Sequence, residues 1–172
     1  GKQILINTTV RSSSANYTNC NERDISYIVI HYTGNAKDSA LSNAKYFANG
    51  ARNASAHFFV DDNNIYQSVE LRDKAWHCGS SKGYKTGCRN DNSIGIEMCT
   101  SGNYQVSTIT QSNAIYLTAM LCRKLGIQAH MVDKYILRHY DVVKTNKKCP
   151  AQFVDNQAQW DNFKAILKEL LK

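Results

Sequence analysis

ISYIVIHYTGN, residues 25–35, is the most informative segment of the chain. From Ile25 to Tyr32 it is a near-continuous β-branched and aromatic run, the composition of a strand buried on both faces. Thr33-Gly34-Asn35 then signals a turn. His31 therefore ends an apolar strand beside a loop. A second strand is expected at Ser93–Cys99 (SIGIEMC), where alternation puts Ile94, Ile96 and Met98 on one face and Gly95 and Glu97 on the other. Ala56–Asp61 and Ile65–Val69 flank Asp62-Asn63-Asn64 and predict a hairpin. Tyr135–His139 (YILRH) reads as a short strand that also ends in a histidine.

Helices are expected between these strands. Ser39 can cap one through Asn49, with Leu41, Ala44 and Ala48 on one stripe and Gly50 just past its end. Thr110 is expected to cap another through Leu125, with Ala114, Leu117, Leu121 and Leu125 on one stripe and Gly126 as the stop. The last runs from Asp155 to Leu171, with Trp160, Phe163, Leu167 and Leu170 on its apolar side. The stretch through Glu22 reads as loop with a short strand at Ile4–Ile6. Ala75–Asn92, with Gly79, Gly83 and Gly87, reads as a long loop of the kind that often carries function. Strands interleaved with helices, plus one hairpin, predict an α/β fold: a central mixed β-sheet flanked by α-helices.

The chain has 172 residues, enough for one domain with its own core. Residues 1–24 form its loop-rich N-terminal segment, 25–153 its core and 154–172 its C-terminal helix. At 42% apolar and 20% charged residues it is ordinary for a globular protein, and no apolar stretch is long enough to enter a membrane as a span. No basic-then-apolar leader opens the chain, and Gly1 in place of an initiator Met suggests trimming, with flanking domains lost. The net charge of +7 favours anionic partners, but the charges are dispersed and no nucleic-acid arm or RNA-binding aromatic signature is present.

Six cysteines occur, at Cys20, Cys78, Cys88, Cys99, Cys122 and Cys149. Cys99 and Cys122 lie in apolar periodic segments and read as small core residues. Cys78 and Cys88 flank the Gly- and Lys-rich loop and are the best candidates for a bridge, which stays open. Cys149 lies ten positions beyond His139 (149 − 139). Two histidines at strand ends plus one cysteine make a sensible three-ligand zinc set, leaving a fourth position for water. Such a centre keeps net positive charge and stays a Lewis acid. The ligands come from separate elements, however, and their spacing alone is a weak signal.

The chain resembles the zinc-dependent N-acetylmuramoyl-L-alanine amidases of type 2, found among phage endolysins and bacterial autolysins, which share their fold with the peptidoglycan recognition proteins. The matching blocks are IVIHYTGN (28–35), SAHFFVDDNNIYQSVE (55–70), AWHCG (75–79), NSIGIEMC (92–99) and RHYDVVKTNKKCPAQF (138–153), in the family's order. The resemblance implies one zinc ion per chain on His31, His139 and Cys149. It implies a catalytic Glu97, facing the cleft rather than the core, and Lys147 beside the metal as an oxyanion-stabilising cation. Some relatives carry a catalytic Tyr directly before the His of the H-F-x-V strand; here that position is Ala56, which leaves Glu97 as the base. His77 and Trp76 are expected on the substrate side of the cleft. His57 either lines the pocket or packs beside the zinc strand. Asp141 either supports His139 or caps the next turn, and Asp61 and Asp62 read as hairpin chemistry.

The implied reaction is hydrolysis of the amide joining the lactyl group of N-acetylmuramic acid to the L-alanine of the stem peptide. The implied partner is peptidoglycan, acted on at the bacterial cell wall by a monomer that inserts in no membrane, any separate wall-binding domain lying outside this chain. Three rivals stand beside it. One is a non-catalytic peptidoglycan-binding module, against which Cys149 argues because such relatives typically lose that ligand. Another is a zinc peptidase cutting within the stem peptide. The third is a thiol-redox protein, weakened by the lack of any C-x-x-C.

Overall fold

The computed structural model describes residues 5–172. In chain order its elements are β1 (Ile6–Asn7), β2 (Tyr17–Thr18), β3 (Tyr27–Tyr32), α1 (Ala40–Ala48), β4 (Phe58–Val60), β5 (Ile65–Gln67) and β6 (Lys74–Ala75). There follow β7 (Ser93–Met98), α2 (Thr108–Leu125), α3 (Val132–Tyr135), β8 (Ile136–Arg138), α4 (His139–Val142), α5 (Ala151–Asp155) and α6 (Gln157–Leu170). The main sheet has the order β1-β5-β4-β7-β3-β8. Only the β4–β5 hairpin is antiparallel; its other pairings are parallel. The expected mixed α/β sheet is therefore what the chain forms.

The strand at 25–35 is the axis of this sheet. β3 pairs with β7 on one side and β8 on the other, and Ile28, Val29 and Ile30 are wholly buried. Ile28 and Ile30 share one face with Ile94, Ile96 and Met98 of β7. There they meet Ala114, Leu117 and Leu121 of α2 and Trp160, Phe163 and Leu167 of α6. Each fully buried side chain of this kind contributes about 1.5–3 kcal/mol, so this face fixes which way the strands point. The opposite face carries Val29 in a smaller cluster with Leu137, Val142, Val143, Cys78 and Cys88. All six cysteines are free thiols, and Cys99 and Cys122 are buried as expected.

Helix α1 follows its sequence closely. Ser39 Oγ accepts the Ser42 N–H at 3.1 Å and Ser42 Oγ accepts the Ser39 N–H at 3.1 Å, a reciprocal cap. Helix α2 begins earlier than expected. Its cap is Ser107, whose Oγ accepts the Thr110 N–H at 3.0 Å. Thr110 instead lies in the first turn, where its hydroxyl donates to Asp62 Oδ1 at 2.8 Å; the Ser107 hydroxyl donates to the same oxygen. Both residues are competent caps, and the hairpin carboxylate selects the start. Gly126 ends the helix in the left-handed conformation (φ 76°), as its position implied.

The remaining differences are at boundaries. Ile4 of the expected N-terminal strand lies outside the described residues, and the strand seen is Ile6–Asn7. β8 stops at Arg138, so His139 opens α4 instead of closing a strand. Asp141 takes the capping alternative: its Oδ2 accepts the Arg138 N–H at 2.9 Å and its Oδ1 the Arg138 guanidinium at 2.8 Å. The C-terminal helix divides at Asn156 into α5 and α6. No helix among the described residues is long and apolar enough to cross a membrane.

Removing the α2 cap tests the assignment. Ser107→Ala should lower the stability of the fold by about 1 kcal/mol in urea denaturation followed by circular dichroism.

Candidate metal and catalytic site

The site grows from the register of three parallel strands. His31 of β3 stands directly beside Glu97 of β7, and Ile30 beside Arg138 of β8. His139, the next residue, therefore emerges at the same sheet end as His31. Carboxyl ends of parallel strands are where α/β sheets open their clefts. Cys149 reaches this point from the turn before α5, and its Sγ receives the Tyr32 N–H at 3.4 Å.

His31 Nδ1 lies 3.2 Å from His139 Nδ1 and 3.9 Å from Cys149 Sγ. The three donor atoms all fall within 4.8 Å of one another, and all three residues are buried. With zinc bond lengths of about 2.0–2.1 Å to nitrogen and about 2.3 Å to sulfur, a tetrahedral ion would set its ligands roughly 3.4–3.6 Å apart. The observed separations are of that order.

The protonation states point the same way. Burial, then His139, His77 and Lys147, hold His31 well below the ordinary imidazole value. Burial and Lys147 lower His139 to about 4. Both rings are thus neutral, the form that donates to a metal. Burial, with Glu97 nearby, pushes the Cys149 thiol up to about 12 against the Tyr32 N–H and Lys147. A thiolate here calls for a cation, and a coordinated dication supplies that charge directly.

Glu97 completes the arrangement. Its Oε1 lies 3.7 Å from His31 Nδ1, while its Oε2 is buried and has no hydrogen-bond partner. Burial raises this carboxyl to about 8, with Lys147 opposing and Asp38 adding to the rise. Buried polar atoms are normally satisfied, so an orphaned carboxylate oxygen marks capacity held for something that binds. Together these residues line a cavity of about 650 Å³. Lys147 lies on its rim, tethered through its carbonyl, which accepts the Cys149 N–H at 2.9 Å. The residues of α1 and Trp76 form the wall beyond, and Ala56 lines it as well.

His57 and His77 are each held on both ring nitrogens. His57 is fully enclosed and does not line the cavity. Its Nδ1 accepts the Gly95 N–H at 3.0 Å and its Nε2 donates to the Asp73 carbonyl at 2.9 Å. Of the two alternatives for His57, lining the pocket is set aside and packing in the core is what is seen, with both nitrogens engaged. His77 does line the cavity, but Nδ1 meets His31 Nε2 and Nε2 meets Ser93 Oγ, each at 2.9 Å. Neither nitrogen is left for a substrate. Trp76 lines the cavity, with its indole N–H on Thr18 Oγ1 at 2.9 Å.

Sequence reading missed Asp38, Ser93 and Gly95. Asp38 sits in the cavity wall with both oxygens taken by Asn43, Asn35 and Thr100, bonds that hold its carboxyl below the usual range. Gly95 carried a signal, because glycine inside a strand often marks a close approach. A Cβ there would lie 2.6 Å from His77 Cγ. Gly95→Ala should therefore cost about 1–3 kcal/mol in chemical denaturation, because the His77 ring has to move.

The N-acetylmuramoyl-L-alanine amidase family matches residues 21–152. Among characterised relatives, the amidase CwlL of Bacillus licheniformis is 34% identical over 154 residues, covering 84% of this chain and 41% of that protein. XlyA of Bacillus subtilis is 33% identical over 143 residues, covering 81% of this chain and 43% of that protein. The chain thus spans about two-fifths of the length of these relatives. In three dimensions, a mutant endolysin from Bacillus subtilis superposes with a TM-score of 0.75 at 30% identity, over 95% of this chain and 98% of that one. The catalytic domain of XlyA gives 0.74 at 29% identity over the same shares. With the fold, the sheet-end cluster and this match over most of its length in agreement, the chain belongs to the N-acetylmuramoyl-L-alanine amidase family.

Proposed function

We propose that the chain is a zinc-dependent amidase that hydrolyses the bond between the lactyl group of N-acetylmuramic acid and the L-alanine of the peptidoglycan stem peptide, acting at the bacterial cell wall. The observation that carries this reading is the cluster of His31, His139 and Cys149 donor atoms beside an unpartnered Glu97 oxygen in one cavity. The amidase family match supplies the substrate class.

His31, His139 and Cys149 would hold one zinc ion. Bound there, zinc supplies Lewis acidity toward the scissile carbonyl and makes a nearby water more acidic. Glu97 removes a proton from the attacking water through its unpartnered Oε2. As the water oxygen bonds to the carbonyl carbon, the carbonyl electron pair moves onto oxygen. Lys147, among the residues lining the cavity, would stabilise that charge through its ammonium. Glu97 then returns the proton to the alanine nitrogen as the C–N bond breaks. Trp76 offers an apolar surface on the wall opposite. The net charge of +7 is compatible with an anionic wall.

Three measurements test this. Mass spectrometry of purified walls after digestion should find free lactyl-muramic ends and new L-Ala amino termini; cuts between stem-peptide residues would refute the assignment. Glu97→Ala should slow product formation by about 10²–10⁴-fold. Equal rates for the two proteins would remove Glu97 as the base. Metal analysis should find one zinc per chain in the wild type and a large loss in Cys149→Ser.

A further inference from the structure

Three hydrogen bonds run in series from a backbone carbonyl to His31. Ser93 Oγ lies 2.6 Å from the Arg89 carbonyl oxygen and 2.9 Å from His77 Nε2. His77 Nδ1 lies 2.9 Å from His31 Nε2. A carbonyl oxygen only accepts, so the single hydroxyl proton of Ser93 goes to Arg89. What Ser93 presents to His77 is a lone pair, and His77 Nε2 must carry the proton between them. From the other end, a His31 Nδ1 that faces His139 Nδ1 and Cys149 Sγ as a metal donor carries no proton, so the N–H of that ring is at Nε2. That N–H meets His77 Nδ1 at 2.9 Å, which must accept it and is therefore bare. The two ends agree at His77, and the first assignment rests on a peptide carbonyl that does not titrate.

We infer that Ser93 and His77 are positioning residues that hold His31 in the Nε2–H tautomer and so keep its Nδ1 lone pair directed at the metal site. This rests on the zinc reading proposed above. The surroundings are built for the chain of bonds. Ser93 is fully buried, so no water competes for its hydroxyl. Gly95 leaves the space that the His77 ring fills. Asn90 Oδ1 accepts the N–H groups of His77 and Cys78 at 3.1 and 2.8 Å, which fixes the backbone behind the ring. The second nitrogen of a metal-bound histidine commonly takes such a partner, and losing it weakens metal binding.

Zinc affinity, measured by competition against a chromophoric chelator, should fall about 10–100-fold in Ser93→Ala. Ser93→Thr keeps a hydroxyl and should recover most of the loss. In histidine-15N-labelled, zinc-loaded wild type, long-range 1H–15N spectra should show His77 protonated at Nε2 and bare at Nδ1, and His31 protonated at Nε2. Unchanged affinity in Ser93→Ala, or a His77 proton on Nδ1, would overturn the inference. The spectrum needs no substitution, so it decides the matter even if Ser93→Ala fails to fold. A wild type that binds no zinc overturns the metal reading itself, whereas a zinc-binding wild type indifferent to Ser93 overturns only this inference.

Discussion

The parallel register between β3 and its two neighbours is the constraint on which the site depends. It sets His31 against Glu97 and ends β8 so that His139 emerges beside them. Side chains alternate with a period of two, so a slip of one residue would turn Glu97 into the core and Ile96 or Met98 into the cavity. What prevents the slip is burial on the other face. Ile28, Ile30, Ile94, Ile96 and Met98 all lie at 0% exposure against α2 and α6. Exchanging them for Glu97 would forfeit several of the largest apolar contributions in the molecule and bury a carboxylate among hydrocarbon. The apolar face thus specifies the geometry of the polar one.

That polar face is unusually dense. Along β7, Ser93, Gly95 and Glu97 share the face opposite Ile94, Ile96 and Met98, and each serves a different requirement. Ser93 takes the far nitrogen of His77, Gly95 gives the ring room, and Glu97 keeps a free oxygen. His57 sits behind them, satisfied by a β7 backbone N–H and the Asp73 carbonyl. Buried polar networks stabilise only when their members are paired. Here each ring nitrogen of His57 and His77 has a partner, whereas Glu97 Oε2 and, in the cavity wall, Thr33 Oγ1 have none among the described residues.

How far the sequence foretold this depends on the distance over which each feature is determined. The run at 25–32 and the alternation at 93–99 are local patterns, and they gave the central strands and the side of the sheet that Glu97 faces. Helix starts are also local, yet Ser107 and Thr110 were equally able to cap. The choice fell to Asp62, which is remote in sequence and close only in the fold. The histidines are the clearest case. Periodicity says where a Cβ points and nothing about where two ring nitrogens end, and those of His57 and His77 end on Gly95, Asp73, Ser93 and His31. The three-residue donor set was similarly hidden. Its spacing is no compact motif; two strand-end histidines and a cysteine suggested it weakly, and the order of the five family blocks gave that suggestion its weight. Gly95 was the overlooked clue, since a glycine within so apolar a strand needs a reason.

Charge explains why the polar face needs something more than its own residues. Cys149 and Glu97 are both buried acids; burial raises the proton affinity of each, and Glu97 raises that of Cys149 further. The imidazoles beside them are held neutral, and Lys147 is the cation both acids share. Left to itself, this group of side chains resists ionisation: one lysine cannot offset a thiolate and a carboxylate so far from water. A dication among the donor atoms reverses the balance, because it makes the thiolate favourable and relieves the penalty on Glu97. A fold that leaves a buried carboxylate oxygen unpaired, while pairing every ring nitrogen of His57 and His77 beside it, has set an unmet electrostatic demand at the place where the chemistry is proposed to occur.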